Sequence, residues 1–226
     1  MNTGIGDAVA LLAVILNGWG GSGLLAAYEA ERRPIGGVNH GWSGRHTGVR
    51  IAIMEAYEAY LDAATDAGER ASLAVAIAAL GNLENEAWGV ELAYRYDAPP
   101  LIAPILAAEA GATPPVDPCI ISRTVWPGMC APSFILPDGQ ALFDLLDPSG
   151  FTLLCFNPAL DSTRMQQTGT PVTRIDLAFD AARDVYNADL ALVRPDGQLA
   201  WRGDAASAWA VRVAAGGAAA PSSPDG

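Results

Sequence analysis

Apolar positions recur three and four residues apart over the first third of the chain, the spacing of helices with one packed face. The pattern predicts a helix from about Gly4 to Leu16, stopped by Asn17-Gly18-Trp19-Gly20-Gly21. A second helix follows, with Ser22 as its cap and Leu24, Leu25 and Tyr28 as its apolar stripe. Glu29 and Arg33 stand four apart as a helical ion pair, and Pro34 is expected to close the helix because it donates no backbone hydrogen bond. The glycine-rich stretch holding His40 and His46 then reads as a loop. Ile51, Met54, Tyr57 and Leu61 form a further helical stripe, with Glu55, Glu58 and Asp62 on other faces. Asp66 followed by Glu69 is a capping pair, opening a helix that runs through Leu80 to Gly81. From Val90 to Tyr96 the period changes to two, which predicts a strand.

The proline-rich segment from Pro99 to Pro132 is expected to wrap without long regular elements. Beyond it, strands and helices alternate. Ser133–Leu136 is a strand, Pro137-Asp138-Gly139 a turn, Ala141–Leu146 a helix, Phe151–Phe156 and Val172–Leu177 strands, and Ala181–Tyr186 a helix. Leu190–Val193 and Leu199–Arg202 flank Pro195-Asp196-Gly197, a hairpin signal. A last helix covers about Ala205 to Ala215, and the Gly/Ala/Pro/Ser tail is expected to be disordered.

Charge narrows the possible partners. All 13 cationic residues are Arg, 25 residues are acidic, and the net charge is −12. Nucleic acid and anionic membrane both need a basic face, so neither is an expected partner. Cys119, Cys130 and Cys155 form no CxxC pair and no zinc spacing, which fits a reducing cytoplasm. The most apolar run, Ala8 to Leu16, is preceded by Asp7 and is shorter than the roughly 20 residues a membrane-spanning helix needs. It reads as neither anchor nor signal peptide. His40 and His46 lack partners at ligand spacing, so no metal site is expected.

The octet Met1-Asn2-Thr3-Gly4-Ile5-Gly6-Asp7-Ala8 opens a helix with free backbone N–H groups and glycines that let a ligand approach. By itself it is an ordinary helix start. In order along the chain it is followed by Tyr28-Glu29-Ala30-Glu31-Arg32-Arg33-Pro34, by Gly89-Val90-Glu91-Leu92-Ala93-Tyr94-Arg95-Tyr96-Asp97 with Pro100-Leu101-Ile102, and by Trp126-Pro127-Gly128 through Ala131-Pro132. This series resembles the C-terminal portion of the FAD-dependent aromatic hydroxylases, the para-hydroxybenzoate hydroxylase-like flavoprotein monooxygenases. Phe151-Thr152-Leu153-Leu154 and Ala188-Asp189-Leu190 to Gly203 resemble the thioredoxin-like C-terminal domain of their phenol and polyketide hydroxylase branch.

The resemblance implies an α/β chain in two parts. Residues 1–112 would be the mostly helical C-terminal part of a FAD-binding domain, 113–132 a proline-rich linker, 133–216 a thioredoxin-like domain without CxxC, and 217–226 a tail. It implies FAD, reduced by NAD(P)H, hydroxylating a phenolic or polyketide aromatic ring. The backbone at Met1, Asn2, Thr3 and Gly4 would bind the flavin, where a helix N-terminus stabilises the charge of its reduced form. No residue of the chain is expected to be catalytic. No Gly-x-Gly-x-x-Gly follows a predicted strand, and the family's Asp-Gly and Gly-Asp motifs are absent, so the chain is expected to be a fragment, inactive alone. Ser133 stands where the family often has His, and Cys155 is followed by Asn157-Pro158-Ala159 without a second cysteine. Arg32-Arg33-Pro34 reads as a helix end whose cations favour the C-terminal dipole. The rival reading is a non-catalytic thioredoxin-like interaction module, with a homodimer as one possible assembly.

Overall fold

The computed structural model describes residues 14–81, 86–97, 100–103, 113–121 and 125–217. The chain divides into two compact units. One comprises Met1–Arg33, Arg95–Pro115 and Ser122–Gly226; the other comprises Pro34–Tyr94 and Val116–Ile121. The expected start of the first helix and the tail beyond residue 217 lie outside the described residues; residues 14–16 are helical.

The first unit is built on four strands, β1 (Phe151–Cys155), β2 (Val172–Asp176), β3 (Leu190–Val193) and β4 (Leu199–Gly203), in spatial order β2-β1-β3-β4. β1 pairs parallel with β2, while β3 is antiparallel to both β1 and β4. A parallel pair needs a crossover, supplied by a segment containing the short helix Thr163–Gln166. Helices Asp180–Tyr186 and Ala208–Ala214 complete a β-α-β-α-β-β-α order, the thioredoxin arrangement. Side chains alternate between two cores as the period of two requires. Phe151, Leu153, Cys155, Leu190 and Leu192 join Met165 and Val211 on one face; Leu154, Phe156, Ala191 and Val193 join Tyr186 and Leu142 on the other. The Pro195-Asp196-Gly197 hairpin forms as expected, with Gly197 at φ +80° and the Arg194 N–H donating to the Gln198 carbonyl at 2.9 Å.

We label the helices in chain order: α1 (Leu24–Ala59), α2 (Ala67–Leu80), α3 (Trp88–Leu92), α4 (Thr163–Gln166), α5 (Asp180–Tyr186) and α6 (Ala208–Ala214). α1 overturns two expectations. It runs through Pro34 and absorbs the stretch with His40 and His46 that reads as a loop. Proline forfeits one backbone hydrogen bond, yet Glu31 before it and Ile35 after it are both buried, and that packing holds the helix on either side. In the second unit the packed face of α1 carries Ile35, Trp42, Val49, Ile53 and Ala56. The stripe Ile51, Met54, Tyr57 and Leu61 points to solvent instead, at 51%, 64%, 57% and 81% exposure. Two apolar stripes run along α1, one of them ending at Leu61 in the 3-10 turn that follows (Leu61–Ala64), and the sequence does not rank them. Leu25, expected in the stripe of the helix start, is likewise exposed, whereas Ala27 is buried.

α2 follows expectation: the Asp66 side chain accepts the Glu69 N–H at 2.8 Å, and Gly81 ends the helix at φ +76°. Its inner positions, Leu73, Ala76, Ile77 and Leu80, keep strict helical spacing. The strand expected from Val90 to Tyr96 does not form. α3 takes its first half, and only a single bridge, Arg95 to Met129, remains of the second. A period of two makes a strand only where a neighbouring strand continues the ladder. Ser133–Leu136 similarly reduces to one bridge, Ile135 to Ala141, and the helix expected at Ala141–Leu146 is one 3-10 turn, Leu142–Leu145.

Candidate functional site

Met1, Asn2, Thr3 and Gly4, the residues the sequence assigns to flavin binding, lie outside the described residues. Within the described part of the first unit, the densest set of buried charge gathers at the start of the β3–β4 hairpin. Arg194 follows β3 directly, and its Nη1 and Nη2 reach the two carboxylate oxygens of Glu31 in α1, each at 2.9 Å. The side chains are 11% and 1% exposed. Nη2 also meets Asp196 at 2.8 Å, across the tight turn. Burial alone would lower the Arg194 pKa, but the Asp196 and Glu31 charges overcome it and hold the guanidinium well above its ordinary value. Arg194 is therefore a permanent cation.

Tyr96 lies beside this pair. Its ring sits 5.4 Å from the Arg194 guanidinium and 5.6 Å from that of Arg32, whose Nη1 donates to the Tyr96 hydroxyl at 2.8 Å. Both cations face an aromatic quadrupole. Arg32 is thus no helix-terminal cation: α1 continues beyond it, and the side chain reaches back to a residue 64 positions later. Arg33 does form the expected pair with Glu29, at 3.4 Å on the surface.

A cleft of about 50 Å³ opens beside the cluster, with Val14, Trp19, Leu24, Leu101 and Phe151 as its apolar wall. Such a volume holds a few waters, at roughly 10–15 Å³ each, and is far below the roughly 150 Å³ that admits a benzene ring. It is too small for an aromatic substrate. Trp19 packs on Phe151 at 5.4 Å between ring centres, and its buried indole N–H meets no hydrogen-bond acceptor among the described residues.

The glycines between the first two helical stretches do more than stop a helix. Gly21 N–H donates to the Ala215 carbonyl at 2.7 Å and Gly23 N–H to the Gly216 carbonyl at 3.2 Å, so this turn sits on the end of α6. A Cβ on Gly21 would come within 2.3 Å of the Gly216 oxygen. Gly128, in the Trp-Pro-Gly segment, has φ +91°, and a Cβ there would meet the Tyr96 oxygen at 2.8 Å. Sequence reasoning found these glycines by their company, without their contacts.

Where a thioredoxin fold carries its redox cysteines, after β1, the chain has a different device. The Cys155 thiol donates to the Asn157 carbonyl at 3.1 Å, and burial raises its pKa, opposed by Arg174. Arg174 of β2 pins the following loop, donating to the Leu160 carbonyl at 2.7 Å, to Ser162 Oγ at 2.9 Å and to the Pro158 carbonyl at 3.1 Å. The second unit offers His40, exposed on α1, and His46, edge-on to Trp42 at 6.1 Å. Among the described residues no group of three His, Cys, Asp or Glu could hold a metal, and no helix is long and apolar enough to cross a membrane.

Residues 124–220 match the family model of the aromatic-ring hydroxylase C-terminal domain. Over 221 residues the chain is 30% identical to the FAD-dependent monooxygenase opdD of Penicillium oxalicum, covering 90% of this chain and 41% of that protein. It is 31% identical to the FAD-dependent monooxygenase apdD of Emericella nidulans, covering 90% of this chain and 35% of the relative. Among solved structures, the rebeccamycin biosynthetic enzyme RebC with reduced flavin superposes on 96% of this chain with a TM-score of 0.66 at 29% identity, and 42% of RebC is covered. The chain thus spans about two fifths or less of the curated relatives it matches. Its mixed α/β architecture is that of the C-terminal part of flavin-dependent hydroxylases.

Proposed function

We propose, from the match of residues 124–220 to the family model of the aromatic-ring hydroxylase C-terminal domain, that the chain supplies the C-terminal part of a FAD-dependent, NAD(P)H-using monooxygenase of phenolic or polyketide aromatic rings. The observation that carries the reading is the likeness to FAD-dependent monooxygenases over 90% of the chain, continuous from the helical part into the thioredoxin-like part. In this reading 1–112 descends from the FAD-binding domain, 113–132 links it to the thioredoxin-like domain at 133–216, and 217–226 is a tail. Met1, Asn2, Thr3 and Gly4 present backbone N–H groups to the flavin. Bound FAD would supply the oxygen-activating chemistry; the chain's contribution is a helix N-terminus that offers partial positive charge without an acidic proton.

By itself the chain is inactive in this reading, because no Gly-x-Gly-x-x-Gly follows a strand to make the dinucleotide-binding turn; Gly18–Gly23 has that spacing but follows the helical residues 14–16. The test is to titrate the purified chain with FAD and to follow NADPH oxidation with phenols. We expect a colourless protein and no phenol-dependent oxidation. A bound-flavin spectrum would overturn the claim that the chain needs a further part. The acidic composition and the cysteine usage favour a cytoplasmic enzyme acting on a small aromatic molecule, without nucleic acid or membrane.

The exposed stripe on α1 favours a second reading, in which the chain serves assembly as a homodimer. Sedimentation at several concentrations decides between them: a monomer throughout counts against assembly.

A further inference from the structure

We propose that Arg194 is a positioning residue, through which the thioredoxin-like half fixes the rotation and axial place of residues 24–33 of α1.

Three features carry the inference. The first is the fork: both terminal nitrogens of Arg194 meet both oxygens of Glu31, each at 2.9 Å. Bidentate geometry of this kind specifies direction as well as distance. The second is its setting. Apolar contact with neighbours such as Leu101 and Phe151, which line the adjoining cleft, is non-directional and does not by itself specify a helix register. A one-residue slip of a helix rotates it by about 100° and shifts it by about 1.5 Å, which removes the Glu31 carboxylate from the fork. A buried ion pair contributes little net stability compared with apolar residues of the same volume. Its contribution here is therefore placement. The third feature is a second anchor ten residues earlier, where Gly21 N–H meets the Ala215 carbonyl at 2.7 Å and leaves no room for a side chain. Residues 21 to 31 are thus held at both ends by the thioredoxin-like elements, at the end of α6 and at the β3–β4 turn. Arg32 on Tyr96, at 2.8 Å, closes the same patch.

Arg174 holds the loop after β1 through Leu160 and Ser162, while the β3–β4 turn and the end of α6 hold residues 21 to 31. The motif Tyr28-Glu29-Ala30-Glu31-Arg32-Arg33 acquires a physical role from this: Glu31 and Arg32 are its inward charges.

Amide hydrogen exchange on the full 226-residue chain tests the proposal, comparing wild type with Arg194→Met, Arg194→Lys and Glu31→Gln. Exchange in residues 24–33 should rise roughly tenfold or more in all three, as expected for losing a charge-assisted buried contact, while β1 and β3 keep their protection. Lysine keeps the charge and loses the fork, so it should not restore the helix. Equal loss of protection in helix and sheet, unchanged exchange in 24–33, or full rescue by lysine would overturn the proposal. If Arg194→Met does not fold, Glu31→Gln, which keeps shape and removes charge, decides alone by the same criteria. No readout involves flavin, so failure of the hydroxylase reading and failure of the clamp are separate results.

Discussion

The Tyr186 hydroxyl donates to the Pro132 carbonyl at 3.0 Å, joining the end of α5 to the Ala131-Pro132 segment 54 residues earlier. Tyr186 is fully buried between Phe134 and Phe156, and burial pushes its phenol pKa far up, so the group is a neutral donor at any working pH. Removing the hydroxyl leaves a carbonyl without its partner. Tyr186→Phe should destabilise the first unit by about 1–2 kcal/mol, read from urea unfolding. A change below a few tenths would mean that water takes over the contact.

Gly128 combines a left-handed φ of +91° with a Cβ position 2.8 Å from the Tyr96 oxygen, while its N–H donates to Leu199 at 2.7 Å. Neither the backbone nor the neighbour can relax alone. Gly128→Ala should cost about 2 kcal/mol or more, seen as a lowered Tm. Gly139→Ala makes a useful comparison, since Gly139 has a similar φ of +88° but open space around it. Only the conformational part of the penalty should appear there.

How much of this was legible in the sequence depends on where the information sits. The β3–β4 hairpin, the Asp66 cap and the strands Phe151–Cys155 and Val172–Asp176 are local signals, and they formed. Pro34 misleads because its effect is local, whereas the packing of Glu31 and Ile35 is not. The Val90–Tyr96 alternation misleads for the same reason, since a strand needs a partner that no window of sequence contains. Arg32 and Glu31 were visible as a motif, but Arg194 lies 163 residues from Glu31, and no spacing rule links them.

The three thiols should separate by environment. Cys119 is exposed, Cys130 is half-buried, and Cys155 is buried and donates to a carbonyl. Burial, then the Asp196 charge, pushes the Cys130 pKa up to about 11. Reaction with a disulfide reagent at pH 8 should therefore label Cys119 first, with Cys130 lagging and Cys155 unreactive until unfolding. The stability consequence has a definite sign. Because the folded thiol binds its proton more tightly than an unfolded one with a pKa of about 8.5, the contribution of Cys130 is present below that value and is lost as pH rises towards about 11. Cys130→Ser should flatten that part of the pH–stability curve. The insulin-reduction assay of a redox thioredoxin should give no activity, since Cys155 is buried and is followed by Asn157-Pro158-Ala159 without a second cysteine; measurable turnover would sink the clamp-only view of the fold.

Trp19 offers a prediction in the opposite direction. Its indole N–H is buried without a partner among the described residues, a cost of about 1–3 kcal/mol to the folded state, while its ring contributes packing against Phe151 at 5.4 Å. Trp19→Phe removes the donor and keeps part of the packing. The two effects oppose each other, so the variant should lie within about 1 kcal/mol of wild type, where a well-partnered buried tryptophan would lose more. A loss of several kcal/mol in urea unfolding would show that water in the adjoining cleft satisfies the N–H.

The two stripes of α1 give the last test, because they assign opposite consequences to neighbouring residues. Ile53 lies on the packed face of the second unit with Val49 and Ala56, whereas Met54 and Tyr57 are mostly exposed. A charge on the packed face must be buried or must unpack the helix, so Ile53→Asp should lower Tm by several degrees or prevent folding. Met54→Glu with Tyr57→Glu places charge where water already reaches, and should leave Tm within about a degree while raising solubility. If instead the glutamate pair destabilises the chain and Ile53→Asp is tolerated, the helix is packed on the stripe Ile51, Met54, Tyr57 and Leu61 after all. Circular-dichroism melts of the two variants beside wild type distinguish the cases, and sedimentation of the glutamate pair shows whether the exposed stripe drives association of the chain with itself.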